Sequence, residues 1–399
     1  MSNPAGRSEF DPDQPLPGPP EPWAGAAQPI DRGAPPWFMT EMIAAEPAFA
    51  ERILDRLASD GSPERLAAEL RRAAGRPIIV VGCGTSEHGA IGVAGILSDA
   101  WRTARLAGPA PVPVQSFEAS LEPQGGLCLA ISHDGGTWAT TRALETARSA
   151  GARTALITVS GRAPGAHGVD VVLETHERDQ SYCHTIGYTS PLLAATAVGA
   201  ALTGRPVDPA VVRSLMAAGI DPAATSAAEA IATGLAGTRP ILTVGTGADR
   251  GPARELVLKL EEGTHIPAAS RNLETFAHGH LPSTDGATGL VLIMTERRGR
   301  EERLERARQV LTAARVVGIR VAGIFSTGVS AELDADLTPL GRIVIPEAPG
   351  LPAPVAALLG SATPLQLVVE RLARIVGTNP DPIRRTEAAY AEAAATLEG

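Results

Sequence analysis

The sequence predicts an α/β protein made of two related, doubly wound and mainly parallel sheets flanked by helices. Three observations carry that expectation. Short aliphatic runs end in glycine-rich turns, helix-length stretches separate the runs, and the order returns in the second half, where VVGCGTS at 80–86 is answered by TVGTGAD at 243–249. A chain of 399 residues is long enough for two domains that each bury a core.

The elements follow in order. Residues 1–35 are rich in Pro, Gly, Ala and acidic side chains, including PLPGPPEPW, and bury too little to offset their ordering entropy. They read as a flexible arm or one draped over a partner. From Trp37 the apolar residues Phe38, Met39, Met42 and Ile43 recur at helical spacing, and a second helix follows near 64–74. PIIVVG, ending at Gly82, reads as a buried parallel strand. Further strands are expected at 111–115, 126–131, 154–158 and 169–173, with helices at 87–104, 137–150 and 187–203. The polar, Pro-containing stretch near 204–222 reads as a boundary, dividing the chain into domains at 36–210 and 211–399, the second with a C-terminal tail. Beyond it, strands at 240–244, 289–294, 319–324 and 342–345 alternate with helices at 252–264, 299–316 and 361–375.

Composition narrows the function classes. The net charge of −9 argues against nucleic acid or an anionic membrane as the main partner, while leaving room for a local basic pocket. Cys83, Cys128 and Cys183 are an odd set without metal-ligand spacing, which fits a reducing compartment better than a disulfide framework. The first residues lack the basic and apolar stretches of a secretory signal, and no uninterrupted apolar run reaches membrane-spanning length. A cytoplasmic location is the expectation.

Two turns carry the first chemistry. Gly82-Cys83-Gly84-Thr85-Ser86 sits where a strand gives way to a helix, so free backbone amides and the Thr85 and Ser86 hydroxyls can meet an anion. Alone, such a turn is equally a helix cap. Ser132-His133-Asp134-Gly135-Gly136-Thr137 repeats the arrangement after Leu127-Cys128-Leu129-Ala130-Ile131, and two such turns on one sheet edge can converge on one ligand.

GCGTS, then SHDGGT continuing into ALETARSAGARTALITVSG, then KLEEGTHIPAASRNLETFAHGH occur in the order seen in the isomerase half of glucosamine-6-phosphate synthase and its sugar isomerase (SIS) domain relatives. The chain resembles that family over roughly residues 36–385, with only the motifs closely alike. The resemblance implies two tandem SIS domains and a phosphorylated sugar or amino sugar as ligand. It places Thr85, Ser86, Ser132, His133, Asp134, Gly135 and Thr137, with the amide of Gly136, around the ligand's phosphate. It further makes Glu262 the base that moves a proton between C1 and C2, and His278, at the family's separation from Glu262, the ring-opening group. Lys259, one turn before Glu262, would pair with it or stabilise oxyanion charge. No metal or redox cofactor is implied. A homodimer is expected, with His278 able to act across the interface.

Four departures qualify the chemistry. Asp134 stands where the family has a serine, and a carboxylate there repels phosphate unless it turns away or meets an amine or hydroxyl. His280 replaces a proline. The family's lysine near the C-terminus is missing, leaving Arg384 or Arg385 as the nearby cation, and no glutaminase cysteine lies at the start. The expected activity is aldose–ketose isomerisation or isomerisation with deamination of an amino-sugar phosphate. The alternatives are cleavage of Amadori-type sugar–amine conjugates and noncatalytic sensing of a carbohydrate derivative. Read one by one, the Lys-Leu-Glu-Glu stretch is equally a solvated helix face, and His278 and His280 equally turn formers. His176, His184 and His265 carry no assignment.

Overall fold

The protein is described by a computed structural model covering residues 10–19 and 32–397; expectations for 1–9 and 20–31 lie outside the described residues. Two five-stranded parallel sheets form the framework, in the orders β2-β1-β3-β4-β5 and β10-β9-β8-β6-β7. The chain enters through α1 (Phe38–Asp60) and α2 (Ser62–Arg72). The first sheet then alternates β1 (Ile78–Gly82), α3 (Thr85–Thr103), β2 (Val112–Gln115), α4 (Ser116–Leu121), β3 (Leu127–Ile131), α5 (Trp138–Ser149), β4 (Arg153–Thr158) and β5 (Val171–Glu174). β1 and β3 are buried at every position, as strands covered on both faces must be.

The stretch near 204–222 lies within the crossing between the sheets. That crossing consists of α6 (Ile186–Thr203), α7 (Pro209–Ala218) and α8 (Pro222–Leu235). Asp208 and Asp221 cap α7 and α8, each accepting a backbone N–H, and each is followed by proline at the first helical position. The Asp208-Pro209 and Asp221-Pro222 pairs are therefore helix starts. The second sheet runs through β6 (Ile241–Gly245), α9 (Arg250–Thr264), β7 (Ala268–Arg271), the single turn α10 (Leu273–Thr275), β8 (Gly289–Met294), α11 (Arg300–Val317), β9 (Arg320–Ser326), α12 (Thr327–Glu332) and β10 (Arg342–Ile345). It closes with α13 (Ala353–Val376) and α14 (Ala388–Leu397). β7 escapes sequence reading because Ala-Ala-Ser-Arg has no apolar run and is half-buried throughout. α13 begins two turns earlier than expected and continues through Pro364.

One apolar core joins the halves: Leu192 and Val198 of α6, Leu215 of α7, Leu256 and Leu260 of α9, and Leu365 and Val368 of α13 belong to the same buried cluster. α6 and α13 are long and apolar enough to cross a membrane by composition, yet they are mostly buried inside the protein. The tail is tied to the start of the fold, where the Asp381 carboxylate accepts the N–H groups of Phe38 and Met39 at 2.8 and 2.9 Å. The described part of the N-terminal arm also rests on its own chain. Leu16 is buried, its N–H donates to Glu177, and Pro17 O accepts from the N–H of Arg178 at 2.9 Å. Asp13 also accepts from Arg52 and Arg213, so residues 10–19 are docked on the chain by these hydrogen bonds and the buried Leu16 side chain.

Candidate functional site

β1 and β3 are neighbours, so the turn at 83–86 and the loop at 132–137 lie side by side at the carboxyl edge of the first sheet. Gly82 is required there because a Cβ would meet Ser86 O at 2.3 Å. Ser132 Oγ and Thr137 Oγ1 are 3.2 Å apart. Thr137 occupies the N-cap position of α5 but makes no side-chain cap bond, leaving its hydroxyl and the first amides of the helix open to an anion. Gly135 holds the loop at φ +65° against Ala163. Ser86 sits half-buried in the first turn of α3.

His133 is buried with its Nε2 accepting the N–H of Asp179 at 2.9 Å. That bond places the ring proton on Nδ1, which is itself buried without a partner. Burial pushes the imidazole pKa down to about 4, so His133 is a neutral donor at neutral pH. Asp134 is paired with Arg178, whose Nε donates to Oδ1 at 3.2 Å. Burial works to raise the Asp134 pKa, but the histidines beside it and Arg178 outweigh that and hold the carboxyl below its ordinary range. The charge that would repel phosphate is partly neutralised in place.

The second half contributes one face of α9. Lys259 is fully buried; its Nζ donates to Thr85 Oγ1 at 3.0 Å and to Glu262 Oε2 at 2.5 Å, with Glu255 Oε1 at 3.5 Å. Burial alone would lower the lysine pKa, yet Glu262 and Glu255 more than compensate and raise it, so the ammonium persists. Glu255 accepts from the other side as well, with His88 Nδ1 at 2.8 Å and Thr85 Oγ1 at 3.4 Å. Glu262 is partly open to solvent, its side chain 19% exposed.

Among the described contacts none joins His278 to Glu262. The histidine lies in an exposed turn where His278 and Gly279 leave helical geometry, and its Nε2 contacts Glu274 Oε1 at 2.7 Å and Arg306 at 3.5 Å. His280 lines a cleft beside α9 that also reaches Gly84 and His88. The C-terminal tail passes the end of α9, with Thr378 Oγ1 donating to Gly263 O at 2.7 Å. Arg384 is nonetheless engaged elsewhere, bonded to Glu387 and stacked on Tyr390, while Arg385 stacks on Tyr182.

No family model matches the chain. It is 29% identical over 334 residues to the glutamine–fructose-6-phosphate aminotransferase (isomerizing) of Zymomonas mobilis, an alignment covering 77% of this chain and 50% of that protein. The chain thus spans about half the length of that relative. The C-terminal domain of glucosamine-fructose-6-phosphate aminotransferase from Francisella tularensis superposes with a TM-score of 0.73 at 18% identity, over 88% of this chain and 99% of that one. The tagatose-6-phosphate ketose/aldose isomerase of Escherichia coli gives 0.71 at 18% identity, over 90% and 98%. The chain has the tandem sugar isomerase (SIS) fold.

Within this SIS fold, the residues that sequence reading missed are Glu255, His88, Arg178, Asp179 and His184. Two of them carried a signal: Glu255 lies one turn before Lys259 on the same helix face as Glu262, and His88 lies one turn after Thr85. The other three had none. Asp179 acts by folding its loop back, accepting the N–H groups of Ser181, Thr185 and Gly187, and this sets His184 5.4 Å from His133. Such a loop has no periodicity to read.

Proposed function

We propose that the chain is an aldose–ketose isomerase, or isomerase/deaminase, acting on a sugar phosphate and most simply on an amino-sugar phosphate. The observation that carries this reading is the buried Lys259 bridge, which sets a cation between the Thr85 hydroxyl of the first turn and the half-open carboxylate of Glu262. Phosphate would sit against Ser86, Ser132, Thr137 and the amides of Gly135 and Gly136, with His133 Nδ1–H as a neutral donor. Glu262 would take the C2 proton of the open-chain sugar and return it at C1, while the Lys259 charge stabilises the enediolate oxygen. In the deaminating branch, water adds at C2 of the resulting ketimine and ammonia leaves.

Ring opening requires an acid/base at the ring oxygen. His278 faces solvent in its own protomer, so its part in the reaction requires a second copy of the chain to present it, and the active form is a homodimer in this reading. The test is exchange of the substrate C2 proton into deuterated water, with ammonia release, across hexose and hexosamine phosphates. Glu262→Gln should abolish exchange. Co-expressed Glu262→Gln and His278→Asn chains should recover activity, because each mixed dimer holds one intact site. No exchange and no ammonia with any such sugar sinks the proposal.

The Asp134–Arg178 pair favours one second reading, cleavage of a sugar–amine conjugate whose ammonium would meet Asp134. Release of free amine from fructosamine phosphates, without turnover of simple amino sugars, selects it.

A further inference from the structure

A cleft of about 570 Å³ opens at the carboxyl ends of β6 and β7, between the turn after Gly245, one face of α9 and the segment at 270–280. Its walls carry Arg250, Arg254 and Arg271 against the single carboxylate of Glu261, whose Oε1 already accepts the N–H of Ala268. The arginines are poorly compensated. The Arg250 guanidinium opens α9 without an ion pair or hydrogen bond among the described residues. Arg254 reaches only Glu87, at 3.5 Å. Arg271 ends β7 beside Val244; one of its terminal nitrogens donates to Ser270 O, and its Nε is buried without an acceptor. A buried N–H left unpaired costs free energy that a ligand oxygen removes. Arg303, packed over Gly247 of the same turn, has a second buried nitrogen without a partner.

On α9 the cleft is lined by Arg250, Arg254, Val257, Leu258 and Glu261 and not by Glu255, Lys259 or Glu262, while Gly84 and His88 line it from the first sheet's turn and α3. We propose that it is a second binding site, for a phosphate monoester, which borders the turn at 83–86 through Gly84 and is separate from the loop at 132–137. Planar guanidinium groups at a helix start and a strand end suit a phosphate dianion, and the volume accommodates a phosphorylated sugar or a nucleoside monophosphate. The two sites share one helix, so a ligand in the cleft borders the element that carries the proposed catalytic face.

The experiment is calorimetric titration of the full chain with inorganic phosphate, glucose 6-phosphate and AMP. Three proteins are compared: the parent, Arg250→Gln/Arg271→Gln, and Ser132→Ala/Thr137→Ala. The Arg variant should lose one class of sites, with affinity weakened at least about tenfold, as expected for two charge-assisted contacts. The Ser/Thr variant should retain that class. Glucose 6-phosphate and AMP distinguish a sugar from a nucleotide as the source of the phosphate. If Ser132→Ala/Thr137→Ala binds none of the three, all binding belongs to the first sheet and the proposal fails while the functional reading stands. Unchanged titration of the Arg variant also overturns it. Should Arg271→Gln disturb folding, the exposed Arg250→Gln alone must still weaken binding about threefold or more.

Discussion

Lys259 Nζ donates to Thr85 Oγ1 at 3.0 Å, joining a turn of the first sheet to a helix of the second. The contact brings together side chains 174 residues apart in sequence. It also makes the lysine the common partner of two carboxylates, Glu255 and Glu262, one of them wholly buried.

That arrangement predicts an asymmetric response to substitution. Lys259→Met strands Glu255 in a buried site without its cation and should lower unfolding stability by about 3–5 kcal/mol. Glu262→Gln keeps the shape and leaves Lys259 its Glu255 partner, so its cost should stay below about 2 kcal/mol. Urea denaturation of the two variants measures both; equal losses would show that Glu255 does not depend on the Lys259 charge.

Stability should fall as pH rises above neutrality. Glu46 of α1 is fully buried, accepting from Thr189 and Gln366 on one oxygen, and burial raises its carboxyl pKa from 4.5 to about 8. The folded chain therefore keeps a proton that the unfolded chain has released, and the stability tied to it is present at low pH and lost as pH rises through about 8. His133 acts in the opposite sense: with a folded value near 4 against an ordinary 6.5, it costs stability as pH falls below 6.5. The two offset each other below pH 6.5, and from there to about 8 Glu46 acts alone, removing about 2 kcal/mol. Glu46→Gln should flatten the melting temperature over that range and leave a rise with pH below 6.5, whereas His133→Gln should extend the Glu46 decline to the acid side.

Phosphate affinity should respond to Asp134. Asp134→Ser removes a negative charge from the loop while leaving Arg178 beside it, and glucose 6-phosphate should bind about tenfold more tightly. Weaker binding in a thermal-shift or calorimetric titration would instead mean that Asp134 holds Arg178 in the position the ligand needs.

The loop itself should be intolerant at Gly135. Alanine there would adopt φ +65° and put its Cβ 2.3 Å from that of Ala163 and 2.9 Å from Thr158 Oγ1. Gly135→Ala should cost about 2–4 kcal/mol and displace Ser132 from Thr137. Guanidinium-chloride unfolding checks the first effect and loss of phosphate-induced stabilisation the second. Gly136→Ala, where a Cβ meets nothing, is the control.

By itself the sequence determined the two parallel sheets, the turns after β1 and β3, and the helix face holding Lys259 and Glu262. Each is a local matter: buried aliphatic runs favour strands, glycines permit tight turns, and residues three or four apart share a helix face. Tertiary structure decided what those residues do. It paired Asp134 with an arginine from a loop without periodicity, made His133 neutral by burying it, and left His278 exposed against Glu274 and Arg306. It also built two capped helices, sharing one core with α13, into the crossing between the sheets. The physical reason is common to all of these: charge state and burial depend on partners distant in sequence, and local pattern carries no record of which partner will arrive.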